Sequence, residues 1–87
     1  MRKWKILARH KCIVGATVTE SVDVSQETSI STIRRFTATI RGYRGLVIYE
    51  GDPKLIDLNQ VFGIVQKIRD CIDTGDLAVI NRNFHAA

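Results

Sequence analysis

Proline and tryptophan occur once each and cysteine twice in 87 residues, and aromatic side chains make up only 7% of the chain. A single proline excludes a proline-rich linker or ligand, and no low-complexity tract or internal repeat is present. Cys12 and Cys71 are too few for a disulfide framework and lack the paired spacing of a zinc site. They read as reduced, buried thiols of a cytoplasmic protein. Long apolar runs are also missing: Ile6, Leu7 and Ala8 are cut off by Arg9, His10 and Lys11, far short of a signal-peptide core. Nothing approaches the roughly 18 apolar residues of a membrane span, and no lipidation motif stands at either end. The Arg-rich start has the period of a strand, not of the amphipathic helix that a transit peptide needs. These absences point to a small soluble domain without membrane contact.

What is present is an ordinary globular composition, 45% hydrophobic and 25% charged, which excludes general disorder and fills one core over residues 1–87. The net charge of +4 chooses no function, but its distribution is informative. Residues 1–44 carry nine basic side chains against Glu20, Asp23 and Glu27, a net +6; residues 45–87 carry four against six acids, a net −2. Such asymmetry suggests an anionic partner.

From Trp4 onward the even positions read Trp4, Ile6, Ala8, His10, Cys12, Val14, Ala16, Val18, while Lys3, Lys5, Arg9 and Lys11 occupy odd ones. Period two predicts a long strand, which Gly15 bends or divides and which continues toward Val24. Residues 25–29 read as a polar turn. Residues 30–41 predict a second strand, with an out-of-phase Ile33 that implies a bulge near Arg34 and Arg35. Residues 42–45 predict a hairpin connection, and the apolar run Leu46, Val47, Ile48, Tyr49 a central strand ended by Pro53.

Leu58, Val61, Phe62, Val65, Ile68 and Ile72 then recur at three- and four-residue steps between an Asp57 or Asn59 cap and Gly75, which predicts an amphipathic helix. Gly63 inside it implies close approach to the sheet. Residues 77–82 predict a last strand, and residues 83–87 a frayed tail. The expected fold is α+β: a curved antiparallel sheet with one helix across its apolar face, in the order β-β-β-α-β. Reading residues 25–35 as a helix gives the ferredoxin-like alternative β-α-β-β-α-β, which the serines and threonines of that segment disfavour.

The chemistry-bearing candidates are few. Lys3, Lys5, Arg9 and Lys11 would share one face of the first strand with Arg35 and Arg41 on the next, a cationic patch suited to phosphates. Lysines on exposed strands also guard edges against aggregation. Tyr43 and Arg44, at the predicted hairpin tip, could stack on a base or anchor in a pocket. The stretch from Arg41 to Tyr49 resembles in part the RNP1 motif of RNA-recognition-motif domains. It departs from it by an inserted Arg44 and by Leu46 in place of the stacking aromatic. A tight turn that needs Gly42 and Gly45 accounts for the same residues. His10, Cys12 and Cys71 are the one conceivable Cys/His set, but without paired spacing they read as core residues rather than as a metal site or a thiol nucleophile. No phosphate-cradling loop and no paired carboxylates appear, so neither catalysis nor a cofactor is expected.

The sequence therefore predicts a small non-enzymatic protein that contacts nucleic-acid backbone through a basic sheet face. The alternative is an interaction module, such as a small regulator, inhibitor, subunit or mobile-element accessory protein, that docks on an acidic protein surface. Long, partly apolar edge strands add the expectation of a homodimer.

Overall fold

Two dipeptides turn the chain back on itself: Val14 and Gly15 have φ of +51° and +77°, and Arg41 and Gly42 have φ of +50° and +84°. Paired positive φ is the signature of two-residue hairpin turns whose twist matches that of the strands they join. The computed structural model describes residues 2–25 and 32–83, with the side chains of Cys12 and Asn83 left out. Around the first turn, β1 (Trp4–Ile13) pairs with β2 (Ala16–Asp23); around the second, β3 (Arg34–Ile40) pairs with β4 (Tyr43–Gly51). With β2 against β3, the four strands form an antiparallel meander in the order β1-β2-β3-β4.

The predicted α+β class, an antiparallel sheet with a helix across it, is what the chain adopts. Its elements differ in detail. The overlong first strand is divided at Gly15 into β1 and β2, so four strands precede the helix. The ferredoxin-like alternative does not form, because Arg34 and Arg35 open β3 and consecutive strands are neighbours throughout. The apolar run in β4 belongs to an edge strand, and helical cover rather than a central position buries Leu46 and Ile48. The predicted connection at 42–45 is shorter than expected: Tyr43, Arg44 and Gly45 already belong to β4. The expected bulge at Arg34 and Arg35 is displaced, since the β3–β4 register shifts fall between Phe36 and Thr37 and between Ala38 and Ile40. The predicted turn at 25–29 lies, apart from Ser25, outside the described residues, as does the tail beyond Asn83.

After a single 3-10 turn at Pro53–Leu55, α1 (Leu58–Asp73) begins at a capping box. Asp57 Oδ1 accepts from the Gln60 amide at 2.9 Å, and Gln60 Oε1 accepts from the Asp57 amide at 3.0 Å. Two otherwise unpaired donors are thereby satisfied where the helix starts. The helix stops at Gly75, φ +85°, where the Asp76 amide donates to the Cys71 carbonyl at 2.8 Å and the Gly75 amide to the Ile72 carbonyl at 3.1 Å. This pattern closes the last turn and redirects the chain. Residues 77–82, predicted as a strand, instead form most of α2 (Ala78–Asn83). Packing decides this: Val79 is buried in the core and Ile80 packs against it, while Leu77 stays 49% exposed. No helix among the described residues is long and apolar enough to cross a membrane.

Val18, Phe36, Leu46, Val61 and Val65 are fully buried and centre the core, with Ala38, Ile40 and Ile68 beside them. The predicted helical stripe supplies Val61, Val65 and Ile68 to that core, and Leu58, Phe62 and Ile72 pack at its margin. Gly63 does not approach the sheet as expected: it is exposed, with nothing within 4 Å of where a Cβ would stand.

Candidate binding surface

Cross-strand partners in a sheet share a face, so the register assigns each basic residue to a side. On the side covered by the helices lie the rows Lys5, Val22, Arg34; Ala8, Glu20, Phe36, Tyr49; and His10, Val18, Ala38, Leu46. On the open side lie Ile6, Ser21, Arg35, Glu50 and Arg9, Thr19, Thr37, Val47. The register shift between Ile6 and Ala8 inverts the alternation of β1. Lys5 and Arg9 therefore point to opposite faces, and the expected single basic face does not form. The same inversion moves Trp4 and Ile6 away from the helix side, where their even numbers had placed them with Ala8 and His10.

The basic residues of β3 are engaged. Arg34 Nε donates to Glu20 Oε2 at 2.9 Å, its NH2 lies 2.8 Å from the same oxygen, and its guanidinium sits 4.6 Å from the Phe36 ring centre. His10 Nε2 stands 3.4 Å from Glu20 Oε1, so Glu20 joins β1, β2 and β3. Arg35 lies over the Trp4 ring at 3.9 Å, with Glu50 at 4.0 Å, and its cross-strand partner Ser21 is buried on the otherwise open face. Arg2 closes the same end, with NH1 donating to Glu50 Oε2 at 2.9 Å and Nε 3.8 Å from Asp23. Hydrogen bonds from the Ser25 side chain and amide, helped by the Lys3 amide and Arg2, hold the Asp23 carboxyl below its ordinary value. Arg41, expected on the basic face, occupies the β3–β4 turn and is committed to Asp73 of α1 through two hydrogen bonds of 2.9 Å.

The remaining nominated residues are exposed or marginal. Tyr43 pairs with Ile40 at the start of β4 and packs half-buried against the core, so its ring is not presented at a tip. Arg44 beside it is exposed. Lys3, Lys5, Arg9 and Lys11 are exposed, and their side chains have no acidic partner among the described residues. What the structure brings together is thus an edge rather than a face. These four cations lie on or just before β1, one of the two edge strands, which contains no Asp or Glu. Beside them, Ile6 and Leu7 are 49% and 53% exposed.

Among the described residues, no group of three or more His, Cys, Asp and Glu side chains is placed to hold a metal ion. Sequence reasoning missed the Trp4–Arg35 stack and the Glu20 junction. Both depend on cross-strand register, which the alternation along one strand does not encode. No protein-family model, curated protein or solved structure matches the chain.

Proposed function

We propose that this chain is a non-catalytic, cytoplasmic protein that binds nucleic-acid backbone along the β1 edge. One observation supports the reading: four of the cations without an acidic partner, Lys3, Lys5, Arg9 and Lys11, follow one another on or just before β1, whereas Arg34 and Arg41 are neutralised by acids of the protein itself. β1 runs about 33 Å at roughly 3.3 Å per residue, and its side chains project to both sides of an edge that pairs with no further strand among the described residues. Lys3, Lys5, Arg9 and Lys11 then form a rail that follows a phosphate backbone without reading bases. Residues 1–44, which include β1, carry a net +6 and residues 45–87 a net −2, so the molecule orients toward a polyanion with its first half foremost.

Four phosphate contacts imply a log–log salt slope of about −3 to −4 for binding a mixed-sequence oligonucleotide. Titration at two salt concentrations tests this. Binding that is absent at low salt, or unchanged between the two, overturns the reading.

A second reading is favoured by the exposed Ile6 and Leu7, which phosphate contact leaves unused. An acidic, extended protein segment added to β1 would pair with the free edge, cover both side chains and meet the same cations. A pull-down separates the two: material lost on nuclease treatment supports the first, and a single stoichiometric protein retained after nuclease supports the second. Two copies of β1 placed side by side would oppose like charges, so a homodimer finds no support along this edge.

A further inference from the structure

A second stripe runs along α1 beside the one that faces the sheet. Ile64, Lys67, Ile68 and Cys71 stand at positions i, i+3, i+4 and i+7 and so share a side of the helix. The reversal at Gly75 sets α2 against this side, and its Val79 and Arg82, three residues apart, complete the opposite wall. Between them lies an open cleft of about 370 Å³. Its walls are aliphatic apart from the Cys71 thiol, and Lys67 and Arg82 stand exposed among the lining residues.

Neither cation is answered by an acid among the described residues. Asp70 accepts from Gln66 Nε2 at 2.7 Å, and Asp73 is taken by Arg41. A cleft of the size that holds small ligands, with apolar walls and uncompensated positive charge, matches one chemical class. We infer that the α1–α2 cleft is a binding site for a small amphipathic anion, an aliphatic or aromatic body carrying one carboxylate or sulfonate. The body packs on Ile64, Ile68 and Val79, and the anionic head meets Lys67 and Arg82. The site belongs to the helical layer and is independent of β1, so it stands whether or not the chain binds nucleic acid.

The probes are 8-anilinonaphthalene-1-sulfonate, read by fluorescence, and octanoate as its competitor. In a Cys12→Ser background Cys71 is the sole thiol, and its rate of modification by a disulfide reagent reports occupancy directly. The expected result is one saturable site, displaced by octanoate, with Cys71 modification slowed at least about fivefold at saturation. Lys67→Glu with Arg82→Glu weakens binding at least about tenfold, each reversal removing an attraction of roughly the surface ion-pair scale and adding a repulsion. Lys54→Glu, outside the cleft, leaves it unchanged.

Three results would overturn the assignment. One is equal affinity in the double reversal; another is an unaltered Cys71 rate at saturating probe. The third is binding that appears only after residues 84–87 are deleted, which would make the cleft a seat for the chain's own C-terminus.

Discussion

Arg41 and Asp73 form a two-pronged ion pair, Nε to Oδ1 and NH2 to Oδ2 at 2.9 Å each, that fastens the β3–β4 turn to the last turn of α1. The contact joins residues 32 positions apart, at a turn residue whose backbone is left-handed, φ +50°. Both side chains are about half exposed, so water screens the attraction and its role is mainly to orient the turn.

The pair gives the first prediction. Hydrogen bonding to the Arg41 guanidinium holds the Asp73 carboxyl below its ordinary value of 3.8, and Arg41 itself is pushed further up and stays charged. A carboxylate with a depressed folded pKa contributes stability above its unfolded value and loses it as pH falls through the folded one. Asp73→Asn therefore lowers the melting temperature slightly at neutral pH. The gap between wild type and variant closes in acid, below 3.8. Thermal denaturation followed by circular dichroism at both pH values checks this, and a gap that widens in acid contradicts it.

Two glycines, one inside α1 and one just past its end, respond oppositely to alanine. Gly63 is exposed inside α1 with open space at its Cβ position, so Gly63→Ala gains helix propensity, raising stability by about 0.5–1 kcal/mol. Gly75 has equally open space but a φ of +85°, so Gly75→Ala places a side chain in a left-handed conformation at a cost of about 1–2 kcal/mol. Each kcal/mol shifts the melting temperature of a domain this size by roughly 4–8 °C. Equal shifts of the same sign would contradict the conformational argument.

Trp4 is the only tryptophan, so its emission reports the open end of the sheet alone. Arg35→Ala removes the guanidinium 3.9 Å from its ring. Its emission should shift to the red, with a stability loss of about 0.5–2 kcal/mol. Arg35→Lys keeps the charge but not the planar stack, and falls between wild type and Arg35→Ala. An unshifted Arg35→Ala spectrum would show that the stack does not persist in solution.

The β1 rail predicts that single substitutions change the salt dependence of oligonucleotide binding. Lys5→Ala, Arg9→Ala and Lys11→Ala each reduce the magnitude of the slope by about 1, across all sequences alike. Lys5 and Arg9 contribute equally although they lie on opposite faces, because an edge presents both. Lys54→Ala, beyond the opposite edge strand β4, leaves the slope unchanged. A loss confined to Lys5 or to Arg9 would restore a facial site in place of the rail.

The parts of this protein legible in the sequence are those set by local physics. The stripe from Leu58 to Ile72, bounded by an Asp57 or Asn59 cap and Gly75, specifies α1 to within two residues, because helix period, capping side chain and stop signal act over a few positions. Period two identified extended chain, and Gly15 marked where it divides. The segment at 77–82 was misleading because Leu77, Val79 and Arg82 satisfy a strand as readily as a helical turn. Tertiary contact of Val79 with the core selects the helix.

The site was less legible, for a reason located at one residue step. Trp4, Ile6, Ala8 and His10 form an unbroken alternation, and nothing in it announces the extra residue between Ile6 and Ala8. That single insertion in the ladder moves Trp4 and Ile6 to one face and leaves Ala8 and His10 on the other. The sequence by itself determined that positive charge gathers in the first half and that an antiparallel sheet packs under one helix. Only the tertiary structure decided which cations remain unpaired and that Lys3, Lys5, Arg9 and Lys11 among them share an edge rather than a face. Side-chain pairing across strands is set by register and by the distant acids Glu20, Glu50 and Asp73, and neither is a property of any local stretch of chain.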